Sequence, residues 1–231
     1  MILERFPGIY KVKCFANTVF SLTPENRTRP GHVLIAVVPL RQESNAGNLR
    51  PTVNSLLLKE IKDFVISRTS PFLKVEVINP AYEQIQIRCA VKFTKDVGVG
   101  HYISRLNQAV TDYLLPWNDI GYRVRFGWCV REYDLKSFIR SQDYVEFVTD
   151  YSMLRISDDG KGFFHLFDTV AEGVEEIHPK YPWSIAIPVR RHFIKTIGKP
   201  EVIDPEITGV DELEIGSTFI ITGKESNGQE R

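Results

Sequence analysis

The sequence predicts an α+β fold: a ferredoxin-like βαββαβ unit over residues 32–131, then a smaller mixed α/β region and an extended C-terminal arm. Three observations carry this. Between residues 32 and 131, strand-length apolar runs alternate with two stretches of helical periodicity, in the order of the split βαβ arrangement. Beyond 131, shorter strand-like runs are separated by turn residues. From Lys199 onward the composition becomes acidic. The chain accordingly divides into a lead-in (1–31), the ferredoxin-like domain (32–131), a second small region (132–198) and an acidic arm (199–231).

His32 to Pro39 is a continuous apolar run of strand length, suited to a central strand covered on both faces. Asn45, Gly47, Asn48 and Pro51 mark a loop. Val53, Leu56, Leu57, Ile61, Phe64 and Val65 then recur at helical spacing with charged residues between them, an amphipathic helix that Ser70-Pro71 ends. Val75 and Val77 make a short strand before Asn79-Pro80 turns the chain. Ile85, Ile87, Cys89, Val91 and Phe93 alternate with Gln84, Gln86, Arg88 and Lys92, the pattern of a half-exposed antiparallel strand. Ile103, Leu106, Val110, Tyr113 and Leu114 place a second helix over about 99–115, stopped by Pro116, with Trp117 folding back on the core. Residues 122–131 read as the last strand of the unit.

After that, 135–141 reads as a short helix and 144–149 as a strand. Residues 152–157 and 162–167 form a hairpin around Asp158-Asp159-Gly160-Lys161, whose Asp and Gly tolerate positive φ. Residues 183–189 make another strand. The arm has eight acidic residues against Lys199, Lys224 and Arg231, and it carries an apolar run, Ile215 to Ile221, with no strand nearby to pair with.

The composition excludes several functional classes. Among 231 residues, 29 Lys+Arg balance 29 Asp+Glu, so the chain is neither a generally basic nucleic-acid binder nor a polybasic membrane anchor. No apolar run reaches membrane-spanning length, and the N-terminus lacks a basic region followed by an apolar core. Cys14, Cys89 and Cys129 are odd in number and far apart, which argues against a disulfide framework and for a reducing compartment. An RNA-binding ferredoxin-like sheet would show aromatics on its central strands, where this one presents Gln, Arg and Lys.

The search for chemistry finds no constellation. The five histidines form no His-x-x-x-His pair and the cysteines no Cys-x-x-Cys, so spacing supports no metal site. Gly98-Val-Gly100 lacks the third glycine and the Lys-Ser/Thr of a phosphate loop, and no Gly-x-Ser-x-Gly elbow is present. We therefore expect no catalytic residue and no cofactor. Arg190, Arg191, His192 and Lys195 form the densest positive cluster, either a docking patch for an acidic partner or for phosphate, or a solvated turn.

Several phrases, in order, are similar to one known family. They are Leu3-Glu-Arg-Phe-Pro-Gly-Ile-Tyr10, Arg29-Pro-Gly-His-Val-Leu34, Arg68-Thr-Ser-Pro-Phe72, Val77-Ile-Asn-Pro-Ala-Tyr-Glu83, Tyr113-Leu-Leu-Pro-Trp117, Pro182-Trp-Ser-Ile185 and Ile215-Gly-Ser-Thr-Phe-Ile220. Together they resemble the C-terminal portion of baseplate J-like wedge proteins of contractile phage tails and extracellular contractile injection systems. Members of that family are usually longer, with a further N-terminal region, so the chain is expected to correspond to one end of a larger wedge subunit.

The resemblance implies a structural, non-enzymatic role that links the baseplate hub to its periphery. Its partners would be other baseplate subunits (a second wedge protein, hub or sheath-proximal proteins) in a hetero-oligomer, with neither nucleic acid nor membrane involved. Assembly would take place in the bacterial cytoplasm, and the finished chain would reside in a virion or an injection particle. Within that role Ile215, Phe219, Ile220 and Ile221 are the candidate strand for addition to a neighbour's sheet, and Arg190 and Arg191 the candidate docking charges. Trp183 is either an interface anchor or a core-packing residue. The alternative from another class is a ferredoxin-like small-molecule-binding or regulatory module.

Overall fold

The structure is a computed structural model that describes residues 1–40, 48–94, 98–117, 124–158 and 162–197. In chain order the elements are α1 (Ile2–Arg5), β1 (Ile9–Thr18), a 3-10 turn (Pro24–Asn26), β2 (Thr28–Pro39), α2 (Ser55–Ile66), β3 (Lys74–Ile78), β4 (Ala81–Phe93) and α3 (Val99–Leu114). They continue with β5 (Val130–Arg131), α4 (Glu132–Arg140), β6 (Val145–Asp158), β7 (Phe164–Asp168), α5 (Thr169–Glu172), β8 (Glu176–Ile177), β9 (Ser184–Pro188) and β10 (Phe193–Thr196). This is a mixed α/β architecture of the α+β kind.

The apolar run of β2 makes it the centre of a three-stranded sheet, β1-β2-β3, antiparallel to β1 and parallel to β3. Leu34, Ile35, Ala36, Val37 and Val38 are all buried, because both faces are covered. On one face, Ile35 and Val37 pack with Ile2, Ile9, Val53, Ile61, Val65 and Val75 beneath α1 and α2. On the other, Leu34 and Ala36 meet Tyr181 and Trp183, while Val38 meets Val124 and Ile185. Helix α2 is the crossover between parallel β2 and β3. Asn54 caps it, accepting from Leu57 N at 2.8 Å, and Asn79 fixes its approach by bonding both Val53 N (2.7 Å) and Val53 O (2.9 Å). Leu56, which the periodicity assigns to the apolar stripe, is exposed.

A second, five-stranded sheet is built on β4. One edge of β4 pairs antiparallel with β6, and β6 with β7. Along the other edge lie two short parallel strands in succession: β9 against Ala81 to Ile85 and β10 against Arg88 to Val91. Ile85, Ile87, Cys89, Val91 and Phe93 point to one face, where α3 contributes Leu106, Val110 and Leu114 and α4 contributes Leu135 and Ile139. Helix α3 starts after Gly98, whose φ of 77° is a left-handed conformation that suits glycine. It ends where Leu115 takes the extended backbone that Pro116 requires.

The single four-stranded ferredoxin-like sheet expected over 32–131 is not what the pairing gives. β4 is 13 residues long and both its edges are occupied by strands from beyond residue 144, so no edge remains for β2 or β3. Those two strands close a sheet of their own with β1, a strand that falls in the stretch read as a lead-in. Of the expected strand over 122–131, residues 122 and 123 lie outside the described ones; from 124 on, Gly127 turns the chain at φ 67° and the strand shortens to β5, which among the described residues pairs with β8. The separate strand and hairpin arm expected over 144–157 are one strand, β6. It stays continuous through a register irregularity near Asp150, whose φ is 48°.

Candidate interaction site

Where the two sheets meet, one buried carboxylate organises the main chain. Glu83 enters the interior-facing register of β4, two residues before Ile85, and is 1% exposed. Both its oxygens accept from Lys180 N at 3.0 Å, Oε1 also accepts from Tyr181 N at 3.1 Å, and Arg155 Nε lies 3.5 Å from Oε2 as an ion pair. The Arg155 guanidinium also donates to His178 O and sits 4.7 Å over the Phe167 ring. Arg27 approaches from the first sheet, donating to Ser21 O (3.1 Å), Leu22 O (3.2 Å) and Lys180 O (3.2 Å) while lying over Tyr181 and Trp183. Burial pushes both guanidinium groups below their ordinary value, and Glu83 opposes this. A buried carboxylate bonded in this way to two successive main-chain N–H groups holds segment 178–183 in place.

Trp183 belongs to this joint. Its ring is 1% exposed, 5.8 Å from Tyr181 and 5.5 Å from Phe20, so of its two readings the structure displays the packing one. Its carbonyl accepts from Ala81 N, which begins the β4–β9 ladder.

Arg190 and Arg191 lie exposed at the break between β9 and β10. The break would orphan the main chain of β4 at Ile87, and a side chain repairs it. Ile87 N donates to His192 Nδ1 at 3.0 Å and Gln86 Nε2 to Arg191 O at 3.5 Å. From α3, Asn107 accepts from His192 N at 2.6 Å and donates to Arg190 O at 3.2 Å. His192, grouped by sequence with the basic cluster, is buried, and burial lowers its pKa to about 3. It is therefore neutral and adds nothing to the positive surface. Phe193 and Lys195 are exposed on β10, with the Lys195 ammonium 5.2 Å over the Phe193 ring. Arg190, Arg191, Phe193 and Lys195 thus form a basic, aromatic patch along an edge strand. Ile215, Phe219, Ile220 and Ile221 lie outside the described residues.

Sequence reasoning missed Glu83, Arg155, Arg27 and Asn107, all of which act through partners far away in the chain. It also missed the juxtaposition of Cys129, Glu176 and His178 on the β5–β8 ribbon. Burial and the Glu176 carboxylate raise the Cys129 thiol above its ordinary pKa, and Glu176 also raises the neighbouring Arg131 guanidinium. Among the described residues no helix is long and apolar enough to cross a membrane.

A family model described as baseplate protein PVC11-like matches residues 1–166. Among solved structures, the chain is similar to one in the cryo-EM structure of the anti-feeding prophage (AFP) baseplate, 6-fold symmetrised, with a TM-score of 0.51 and 16% identity. That alignment covers 81% of this chain and 35% of the other, so the present chain spans about a third of the length of its structural neighbour. No curated protein sequence matches. With the family model covering well over half its residues, the chain belongs to the PVC11-like family of baseplate proteins.

Proposed function

We propose that the chain is a structural wedge component of the baseplate of a contractile tail or injection apparatus. In this reading it corresponds to the C-terminal portion of a J-like wedge protein and acts only through protein–protein contacts. The observation that carries the proposal is the family match over residues 1–166, and the similarity to an AFP baseplate chain supports the same fold.

The geometry is consistent with a load-bearing role. The two sheets are tied by a buried aromatic cluster and by the Glu83–Arg155–Arg27 network. The Arg190–Lys195 patch runs from the break into β10, an edge strand among the described residues, and offers a neighbouring subunit a strand edge beside positive charge. Its partners are other baseplate subunits: a second wedge protein, hub or sheath-proximal proteins. Residues Ile215 to Ile221 supply a strand to a neighbour's sheet. The chain assembles in the bacterial cytoplasm and resides in the particle.

The test is co-expression with the neighbouring sheath, tube and spike genes, followed by electron microscopy. Particles whose baseplates contain the chain, and which fail to form when its gene is deleted, support the proposal. Normal, contractile particles formed without it overturn the proposal.

A further inference from the structure

We propose that Cys129, Glu176 and His178 form a binding site for a zinc ion, with Arg131 as the residue that orients the carboxylate. The site is made by a two-stranded ribbon. β5 and β8 pair Val130 with Ile177 and Arg131 with Glu176, and one step further along this register Cys129 faces His178. Val130 and Ile177 are both fully buried in the main core, so the alternating residues Cys129, Arg131, Glu176 and His178 share the opposite face. The ribbon is a fixed platform. Glu132 N donates to Glu175 O at 2.8 Å, and His178 O is held by the Arg155 guanidinium.

The donor set and its spacing suit zinc. Thiolate, imidazole and carboxylate are the ligand types zinc prefers, and three protein ligands with a fourth position left to water is a recurrent zinc arrangement. Glu176 Oε2 lies 3.4 Å from Cys129 Sγ and 3.4 Å from His178 Nε2. In a tetrahedral site with Zn–S of about 2.3 Å and Zn–N or Zn–O of about 2.0 Å, ligand–ligand edges are about 3.3–3.5 Å. Two edges of the triangle are therefore already formed. All three donor atoms lie within 4.8 Å of one another, and the exposed His178 ring swings inward to close the third edge.

The two carboxylate oxygens have different tasks. Arg131 Nε holds Oε1 at 3.1 Å, which leaves Oε2 turned toward the thiol and the imidazole. An outer partner that fixes a ligating carboxylate in this way is a regular feature of metal sites. On binding, the Cys129 thiol proton leaves to solvent and the resulting thiolate binds the metal, with a lone pair on His178 Nε2 and Glu176 Oε2 as the other two ligands. The ion would cross-link segments 47 residues apart and pin the ribbon to the core.

The experiment uses the full chain, titrated with Co²⁺ as a spectroscopic stand-in and with Zn²⁺ in competition against a chromophoric chelator. The expected result is a near-ultraviolet thiolate-to-cobalt band together with intense tetrahedral visible bands, saturating at a single equivalent and abolished by excess Zn²⁺. Cys129→Ser should remove the thiolate band, and His178→Ala should weaken zinc binding at least tenfold. His178 is exposed and Cys129→Ser is nearly isosteric, so both variants should fold, as circular dichroism would verify. Cys14→Ser should leave the spectrum unchanged. Zn²⁺ should raise the thermal midpoint of the wild-type chain but not that of Cys129→Ser. Absence of a thiolate band, a band that survives Cys129→Ser, or one that disappears with Cys14→Ser would each overturn the assignment.

Discussion

The amide of Asn107 on α3 bonds both sides of the break in the second sheet, accepting from His192 N and donating to Arg190 O. Through it a helix on one face of β4 determines where an edge-strand break falls, and so where Arg190 and Arg191 emerge. Asn107→Ala leaves two main-chain groups of the break without their partner, and a hydrogen-bonding group removed from a partly buried site costs about 1–3 kcal/mol. The expected outcome is a loss of that size in urea denaturation, with faster amide hydrogen exchange at His192 in the break and at Ile87 than at the other residues of β4.

His192 makes stability depend on pH. Its folded pKa of about 3 lies below the unfolded value near 6.5, so between these limits the unfolded chain binds more protons and stability falls as the solution is acidified. At pH 4 this single group removes about 3 kcal/mol relative to pH 7. His192→Asn keeps an acceptor near Ile87 N but does not titrate. Comparing the two proteins by urea midpoint across pH 4–7 should give a flatter profile for the variant, and parallel profiles would refute the assignment.

Glu83 and Arg155 should be strongly coupled. Glu83→Gln leaves a buried guanidinium without its counter-charge, at a cost of about 3–5 kcal/mol. Arg155→Met does the converse to the carboxylate. The double variant should be less destabilised than the sum of the two, by 1 kcal/mol or more in a double-mutant cycle. Additive effects would mean that the 3.5 Å contact contributes nothing.

Deletion of residues 199–231 should leave a folded core, because the described residues alone supply continuous clusters around α2, α3 and the two sheets. Circular dichroism and thermal unfolding should change little, while co-purification with baseplate partners should be lost. Unchanged co-purification would remove the strand-addition role assigned to Ile215 to Ile221.

Periodicity revealed the local elements where one face was buried and the other wet. The stripes Ile85 to Phe93 and Leu106 to Leu114 have the phase they show in the core, and the β2 run has the burial on both faces that a central strand demands. β1 escaped because it is an edge strand, in which Lys11, Lys13 and Asn17 dilute the apolar pattern. Strand partnership was not legible. Nothing local in Tyr82 to Val91 says that its two edges belong to residues 145–156 and 184–196, so the order of elements suggested a single sheet where there are two. The docking charges were visible as a cluster, but the burial that removes His192 from it depends on α3. The facing of Cys129 and His178 likewise depends on a pairing across nearly fifty residues, beyond any spacing motif.

The division of one edge of β4 between β9 and β10 has a mechanical consequence. β10 runs parallel to β4, and the chain continues beyond it from Ile197, whose N–H bonds Val91 O. Tension applied to the chain at that point, along the strand axis, would stress the four β10 pairings together in shear instead of peeling them one at a time. The turn that follows β9 would bear it next, and the Asn107 amide would pass it sideways into α3. A pull on the C-terminal segment would therefore be shared between a sheet edge and a helix before it reached the body of the molecule.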